Sequence, residues 1–300
     1  MLSVCIPVHN KNITQLLSEL SRQFESISDL VELLVFDDGS SCPVHDGLHL
    51  FPVVKFIYSK ENVGRSAARN QLIKEAKGPY VLFLDAGSEI LNPRFLEDWI
   101  SVLNKGESMV YFGGSDYPTT PPEKSFQLRW RVGVARESKS WDFRKRYQTT
   151  FKTNNSVLHQ QVFDRLKFDE SLRTYGHEDT LFGFELSQIG MEVRQVNIPV
   201  MNQIKDSNEA FLKKTKSAVD NLILVQQRSS SPERFKQYVK LLNTYEKIKA
   251  LRLESLLTLL EKTIKVRIEK RLKSGDSFLM QQRFDLYKLL LLHEALRKRC

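Results

Sequence analysis

The sequence predicts an α/β fold of Rossmann-like character, a mostly parallel sheet flanked by helices, with a helical C-terminal extension. Three observations carry this. Two strongly apolar runs, Leu33-Leu34-Val35-Phe36-Asp37-Asp38-Gly39-Ser40 and Tyr80-Val81-Leu82-Phe83-Leu84-Asp85-Ala86-Gly87, each end in an aspartate and a glycine-containing turn. Runs of this kind read as buried strands of a parallel sheet. Helical patterns alternate with such runs, which implies βαβ units with right-handed crossovers. Beyond about residue 209 the pattern becomes almost continuously helical.

Residues 2–8 read as the first strand. Asn12 to Gln23 reads as a helix opened by an Asn cap and carrying Ile13, Leu16, Leu17 and Leu20. Val31 to Phe36 and Val53 to Tyr58 are the second and third strands. Gly64 to Ala76 is a helix stopped by Lys77-Gly78-Pro79, and Tyr80 to Leu84 is the fourth strand. Residues 113–150 change character, with Gly113-Gly114, Pro118 and Pro121-Pro122 before an arginine-rich stretch from Arg129 to Arg146. That segment reads either as a plain loop region or as a lid or acceptor loop. Glu178 to Ile189 is a largely apolar helix stopped by Gly190. The helical region after 209 is broken at Ser229-Ser230-Ser231-Pro232 and at Ser274-Gly275, and no internal repeat is visible.

A chain of 300 residues with 41% hydrophobic content can bury a sizeable core. The expected organisation is an α/β domain over 1–208 and a basic, Leu-rich helical extension over 209–300. Cys5, Cys42 and Cys300 fit no metal or disulfide spacing, so reduced intracellular thiols are expected. No signal peptide is visible, and no apolar run reaches the roughly 18 residues of a bilayer span, so a cytoplasmic location is expected. The net charge of +9 is unevenly placed. Residues 206–300 hold 21 Lys and Arg against 11 Asp and Glu, a net of +10, whereas residues 1–205 hold 24 against 25.

Ligands of open α/β sheets bind at the carboxyl ends of the strands. A carboxylate in Asp37-Asp38-Gly39-Ser40 can accept hydrogen bonds from a base or a ribose, or can simply close an Asx turn. In Asn62-Val63-Gly64-Arg65-Ser66-Ala67-Ala68-Arg69-Asn70, Arg65 and Arg69 stand at i and i+4 on one helix face. They can meet a carboxylate or a diphosphate, or remain solvated. Glu178 and Asp179 stand at a helix start, where the dipole favours negative charge and where N-terminal capping is the plain role.

The order Ser3-Val4-Cys5-Ile6-Pro7-Val8-His9-Asn10, Phe36-Asp37-Asp38-Gly39-Ser40, Asn62 to Asn70 and Phe83-Leu84-Asp85 closely resembles the N-terminal half of family 2 glycosyltransferases, which have the GT-A fold. The resemblance implies that Pro7 and His9 border the base, His9 standing where the family often has Tyr. It implies that Asp38 contacts base or ribose and that Arg69 holds that side of a nucleotide-sugar pocket, with Asp85 near the ribose and diphosphate. Tyr175-Gly176-His177-Glu178-Asp179-Thr180-Leu181-Phe182-Gly183 looks like the Glu-Asp motif of inverting members. This implies Asp179 as general base and Glu178 in support toward the acceptor. Thr149 to Asn155 and Phe168-Asp169-Glu170 also resemble the family, in a subgroup common in bacterial surface-glycan synthesis, so that the likeness covers about residues 1–215.

The resemblance also implies a Mg²⁺ or Mn²⁺ site formed by Asp85, an acid two residues later and a distant histidine. Here those last two positions are Gly87 and Asn202. Three explanations are open: Ser88 or Glu89 completes a weak metal site, cations such as Arg65 or residues of 129–146 replace the metal, or the protein keeps the fold without efficient turnover.

The expected function is therefore an inverting hexosyl or N-acetylhexosaminyl transfer. The sugar passes from a nucleotide-sugar, taken as a UDP-sugar, to a hydroxyl of a glycan or lipid-linked glycan. The alternative is a catalytically weak or inactive glycosyltransferase-like binding protein. A Rossmann dehydrogenase is disfavoured because no G-x-G-x-x-G follows the first strand. In the extension, leucines from Leu251 to Leu260 with Ile264 and Val266 alternate with Arg252, Lys262, Lys265, Arg267, Lys270 and Arg271, and Leu286 to Leu292 precedes Arg297-Lys298-Arg299. These helices either pack with their charges solvated or dock on an anionic membrane, on its inner face, or on a partner protein. Nucleic acid is disfavoured because no recognised motif accompanies the charge.

Overall fold

The computed structural model describes residues 1–41, 50–147 and 151–299. In chain order the first elements are β1 (Leu2–Val8), α1 (Thr14–Phe24), β2 (Val31–Asp38), β3 (Val54–Ser59), α2 (Arg65–Glu75), β4 (Tyr80–Phe83), β5 (Ser88–Glu89), α3 (Phe95–Leu103), β6 (Val110–Phe112) and β7 (Ser115–Asp116). Then come α4 (Gln127–Arg136), α5 (Trp141–Arg146), β8 (Ser156–His159), α6 (Gln160–Arg165), α7 (Glu178–Gln188), β9 (Arg194–Gln195) and β10 (Val200–Asn202). The chain finishes with α8 (Asn208–Arg228), α9 (Pro232–Tyr238), α10 (Lys240–Ala250), α11 (Glu254–Lys273) and α12 (Met280–Arg297). Two compact units result. The first comprises Met1–Pro118, Glu137–Arg173 and Glu178–Gln203, and the second Thr119–Arg136, Thr174–His177 and the chain from Ile204 onward.

The first unit is built on a seven-stranded sheet of order β3-β2-β1-β4-β8-β6-β9. Its first four strands are mutually parallel, and β8 runs antiparallel between β4 and β6. Period-two alternation sends Val4 and Ile6 of β1 to one face and Cys5 to the other. On the first face they meet Leu16, Leu17 and Leu20 of α1 and Phe95, Leu96 and Trp99 of α3. On the opposite face Cys5, Leu34 and Phe36 meet Ala68 and Leu72 of α2 and Phe182 of α7. Each large aliphatic or aromatic side chain so buried contributes about 1.5–3 kcal/mol, which is why the apolar runs become central strands. A second, three-stranded sheet of order β5-β10-β7 joins residues far apart in sequence.

Strand order reverses between β1 and β4, the place where open α/β sheets form a crevice at their carboxyl ends. Asn12, expected as the helix cap, lies before α1, whose N-cap position is Ile13 with no side-chain cap; its Oδ1 accepts from Thr14 N–H at 2.9 Å in the turn that leads in. The segment 113–150 is not simply loop: it contains β7, α4 and α5 among its described residues. Cys5 is a free, buried thiol whose pKa burial pushes well up, while Cys42, Cys300, Thr149 and Thr150 lie outside the described residues.

The second unit is helical. Asn208 ties it together: its Oδ1 accepts from Leu128 N–H at 2.9 Å, and its Nδ2 donates to Lys124 O at 2.8 Å and Lys273 O at 3.1 Å. Helices α11 and α12 are joined by Lys265–Glu294 at 2.5 Å and Arg297–Glu261 at 3.0 Å. The leucine-rich run is not one helix. It breaks where Arg252 adopts φ 58°, so Leu251 and Leu253 fall in the turn before α11. Among the described residues no helix is long and apolar enough to cross a membrane.

Candidate active site

Pro7, His9, Asp38, Arg65, Arg69, Asp85, Glu178 and Asp179 all lie in the first unit. Pro7 sits within β1, in register with Phe36 of β2, and His9 follows the end of that strand. The His9 ring meets Asp38 O through Nδ1 at 2.7 Å and Asn10 Nδ2 through Nε2 at 3.0 Å. The carbonyl only accepts and the amide only donates, so the proton is on Nδ1. Asn10 adds two cross-ties between the loops after β1 and β2: its N–H donates to Ser40 Oγ at 2.8 Å and its Oδ1 accepts from Ser41 N–H at 2.8 Å.

Of the two roles that the sequence left open, the structure shows the turn, and it falls to Asp37. Asp37 Oδ1 accepts from Ser40 N–H at 3.0 Å, an Asx turn. Asp38 accepts from Val63 N–H at 2.6 Å and Gly64 N–H at 3.1 Å, holding the loop that enters α2. Gly39 has φ +64°, and a Cβ there would lie 2.6 Å from the Glu61 carbonyl carbon, so this turn requires glycine. Ser66, Ala67 and Ala68 are buried on the sheet, and their small size lets the first turn of α2 approach it closely.

Arg69 is buried while Arg65 is half exposed. Arg69 Nη1 and Arg65 Nη1 each lie 3.4 Å from Glu178 Oε1, and Arg69 Nη2 lies 3.5 Å from Asp85 Oδ1. The guanidinium also sits 5.4 Å from the centre of the Phe168 ring. Phe168 is positioned by Asn70, whose amide donates to Phe168 O at 2.9 Å and Glu170 Oε1 at 2.8 Å. Burial alone would raise the Glu178 pKa, but the Arg69 and Arg65 charges outweigh it and hold the carboxyl below its ordinary value. Asp179, partly exposed, has Lys152 Nζ 3.5 Å from its Oδ2. Three separate elements, α2, the end of β4 and the start of α7, are thus linked through one guanidinium.

Around Asp85 lies a polar cluster that sequence reasoning missed. Asn154 Oδ1 accepts from Asp85 N–H and from Ser88 Oγ, each at 2.9 Å, and Asn154 Nδ2 donates to Asn202 Oδ1 at 3.1 Å. Ser88 is buried, and Glu89 Oε1 accepts from Gln15 Nε2 at 3.2 Å. Asn202 pairs with Ser88 across β10 and β5. The only advance signal for Asn154 was its place in 149–155. Of the arginines between 129 and 146, Arg144 is buried, donates to Val196 O at 2.9 Å and supports the fold. Arg136 pairs with Asp285 at 2.8 Å inside the second unit. Among the described residues no group of three or more His, Cys, Asp or Glu side chains is placed to hold a metal ion.

Residues 3–172 match the model of Glycosyl transferase family 2. The chain belongs to this family. An uncharacterized glycosyltransferase of Haemophilus influenzae is 31% identical over 101 residues; the match spans 31% of this chain and 39% of that protein. A crystal structure of S. aureus TarS 1–349 in complex with UDP is 18% identical, covers 100% of this chain and 92% of that one, and has a TM-score of 0.53. Mannosyltransferase PcManGT from Pyrobaculum calidifontis, in complex with GDP-Man and Mn²⁺, is 14% identical over 99% and 86% of the two chains, with a TM-score of 0.62. At these identities the two structures establish a shared GT-A fold.

Proposed function

We propose that this protein transfers a sugar from a nucleotide-sugar donor to a glycan hydroxyl with inversion at the anomeric carbon. The observation that carries the reading is Arg69, which joins Glu178 and Asp85 in the crevice at the carboxyl ends of β1, β2 and β4. The family assignment and the nucleotides bound by the two structural neighbours, UDP and GDP-Man, support it. UDP is the donor nucleotide we favour. His9 and Pro7 border the base, and Asp38 sits at its rim. Arg65 and Arg69 face the donor side, and Glu178 orients the acceptor. Asp179 takes the proton of the acceptor hydroxyl as its oxygen attacks the anomeric carbon. The bond from that carbon to the diphosphate oxygen then breaks, and the nucleoside diphosphate leaves with the electron pair.

The family resemblance implies Mg²⁺ or Mn²⁺, and the residues at hand are a poor set for either. A hard dication takes about six oxygens, commonly from one or two carboxylates together with waters and substrate phosphates. Here Asp85 is ion-paired, position 87 is glycine, and Asn202 and Ser88 are hydrogen-bonded to Asn154.

The test is a substitution at the base. Asp179→Asn is expected to lower sugar transfer by on the order of 10²–10⁴-fold, as for loss of a positioned general base, while UDP affinity stays within about twofold. Wild-type protein that turns over no nucleotide-sugar across a broad panel of donors and acceptors would instead support the binding-protein alternative.

For the extension we favour an anionic lipid surface as partner. On α11 the exposed positions include Leu256, Leu259 and Val266 together with Lys262, Arg267, Lys270 and Arg271, and none of the exposed ones is acidic. That pattern suits a lipid-linked acceptor.

A further inference from the structure

We infer that helix α5 presents an acceptor-binding platform, a pair of exposed aromatic rings flanked by cations that takes an anionic glycan. This rests on the sugar-transfer reading above and names the acceptor class that the reading leaves open. The observation is Phe143 beside Tyr147. They stand one helical turn apart, their ring centroids are separated by 4.8 Å, and they are 42% and 57% exposed. Single apolar side chains are common on a surface, but two large rings in contact form a patch that normally meets a ligand or partner.

The platform is fixed from behind. Phe143 N–H donates to the cap Ser140 Oγ at 3.3 Å, and Tyr147 N–H closes the helix on Phe143 O at 3.0 Å. Arg144, between them in the chain, is buried instead. Its Nη1 donates to Val196 O at 2.9 Å and its Nε to Lys139 O at 3.3 Å. Gly114 makes room for it, since a Cβ there would lie 2.6 Å from Arg144 Nη2. The rings are therefore held in place before any ligand arrives, which lowers the ordering cost of binding.

Charge selects the occupant. Lys145 and Arg146 are exposed on the same short helix, with Lys145 Nζ 5.9 Å from the centre of the Trp141 ring, against one exposed acid, Asp142. An aromatic face stacks on the C–H face of a sugar ring, while ammonium and guanidinium groups meet carboxylates or phosphates. A neutral glycan offers nothing to these cations, and a free phosphate offers nothing to the rings. A sugar chain that carries anionic groups satisfies both. The position also suits an acceptor. Tyr147 stands five residues before Lys152, whose Nζ lies 3.5 Å from Asp179 Oδ2. Five residues span at most about 18 Å, so a short oligosaccharide on the platform can reach the residue assigned as base.

Calorimetric titration of the full chain, with UDP present, tests this with pentagalacturonate, mannopentaose phosphate and neutral mannopentaose. The wild type is expected to bind at least one of the two anionic probes on the order of tenfold more tightly than mannopentaose, a preference that shrinks as salt rises. Which anionic probe binds identifies carboxylate or phosphate as the recognised group. The double variant Phe143→Ala, Tyr147→Ala is expected to weaken that binding on the order of tenfold or more. The double variant Lys145→Gln, Arg146→Gln should bind anionic and neutral probes alike. An unchanged thermal midpoint and an unchanged UDP affinity show that each variant is folded with its donor site intact. Equal binding of the anionic probes by the aromatic variant and the wild type overturns the platform. So does wild-type binding that ignores probe charge, or the absence of binding to any of the three while UDP binds. Loss of cosedimentation with phosphatidylglycerol vesicles in the aromatic variant, without glycan binding by the wild type, overturns it in favour of a lipid surface. Failure of the wild type to bind UDP or GDP, with or without Mn²⁺, overturns the sugar-transfer reading, and this inference falls with it.

Discussion

The guanidinium of Arg69 is buried with two carboxylates near it, one buried and one half exposed. Removing Glu178 leaves that charge with Asp85 alone in a poorly solvated place. Glu178→Gln is expected to cost about 1–3 kcal/mol at neutral pH, the range for a buried charged group losing a partner. The pH dependence follows from the direction of the shift. Glu178 has a folded-state pKa below its ordinary value of 4.5, so its stabilisation is present above that value and is lost as pH falls through the folded-state value. Urea unfolding of wild type and variant at pH 7 and near pH 3 should therefore show a gap that narrows in acid. An equal gap at both pH values would contradict an ionised Glu178 partnered by Arg69. At this scale much was legible in the sequence, because a carboxylate after a strand and arginines at i and i+4 state their chemistry by position. The Asn154 bridge was not, since it depends on contacts between segments far apart in the chain.

Among the elements, the turn after β2 carries more constraint than its length suggests. Gly39 packs against the Glu61-Asn62 backbone in a conformation that L side chains rarely adopt, and Asp38 beside it fixes the entry to α2. Gly39→Ala is expected to lower stability by about 1–3 kcal/mol through strain and displacement of the 61–62 loop. It should also weaken nucleotide binding. A shifted urea midpoint with unchanged slope would register the stability loss, and a midpoint equal to wild type would show that the loop moves aside freely. The β1–β4 strands with α1, α2 and α7 were legible because each is an apolar run bounded by strong stop signals. The strands β5, β7, β9 and β10 were not, since they are two or three residues long and are specified by partners rather than by local pattern. β8 was hidden for a related reason: its antiparallel place between β4 and β6 is set by topology. The helix α4 lies in an arginine-rich stretch whose composition masked its period.

Across the whole molecule the charge is divided, with the net +10 of residues 206–300 set against a near-neutral remainder. Packing accounts for part of that region, since Leu257, Ile268 and Leu272 of α11 are buried and Lys265 pairs with Glu294. The rest of α11 is unusual for a merely solvated face. Val266 is 74% exposed and Leu259 57%, and the exposed charges around them are all basic. Apolar side chains between lysines and arginines can enter a headgroup region while the cations meet lipid phosphates, each worth about 1 kcal/mol near an anionic surface. The full chain is therefore expected to cosediment with vesicles containing phosphatidylglycerol and to stay in solution with vesicles of phosphatidylcholine alone. Binding should fall as salt rises, because surface charge is screened beyond a Debye length of about 8 Å at physiological ionic strength. Replacing Lys262, Arg267 and Lys270 by Gln should reduce the bound fraction severalfold while leaving sugar transfer to a water-soluble acceptor unchanged. Equal sedimentation with neutral and anionic vesicles, or of the triple variant and wild type, would show that the face serves another purpose.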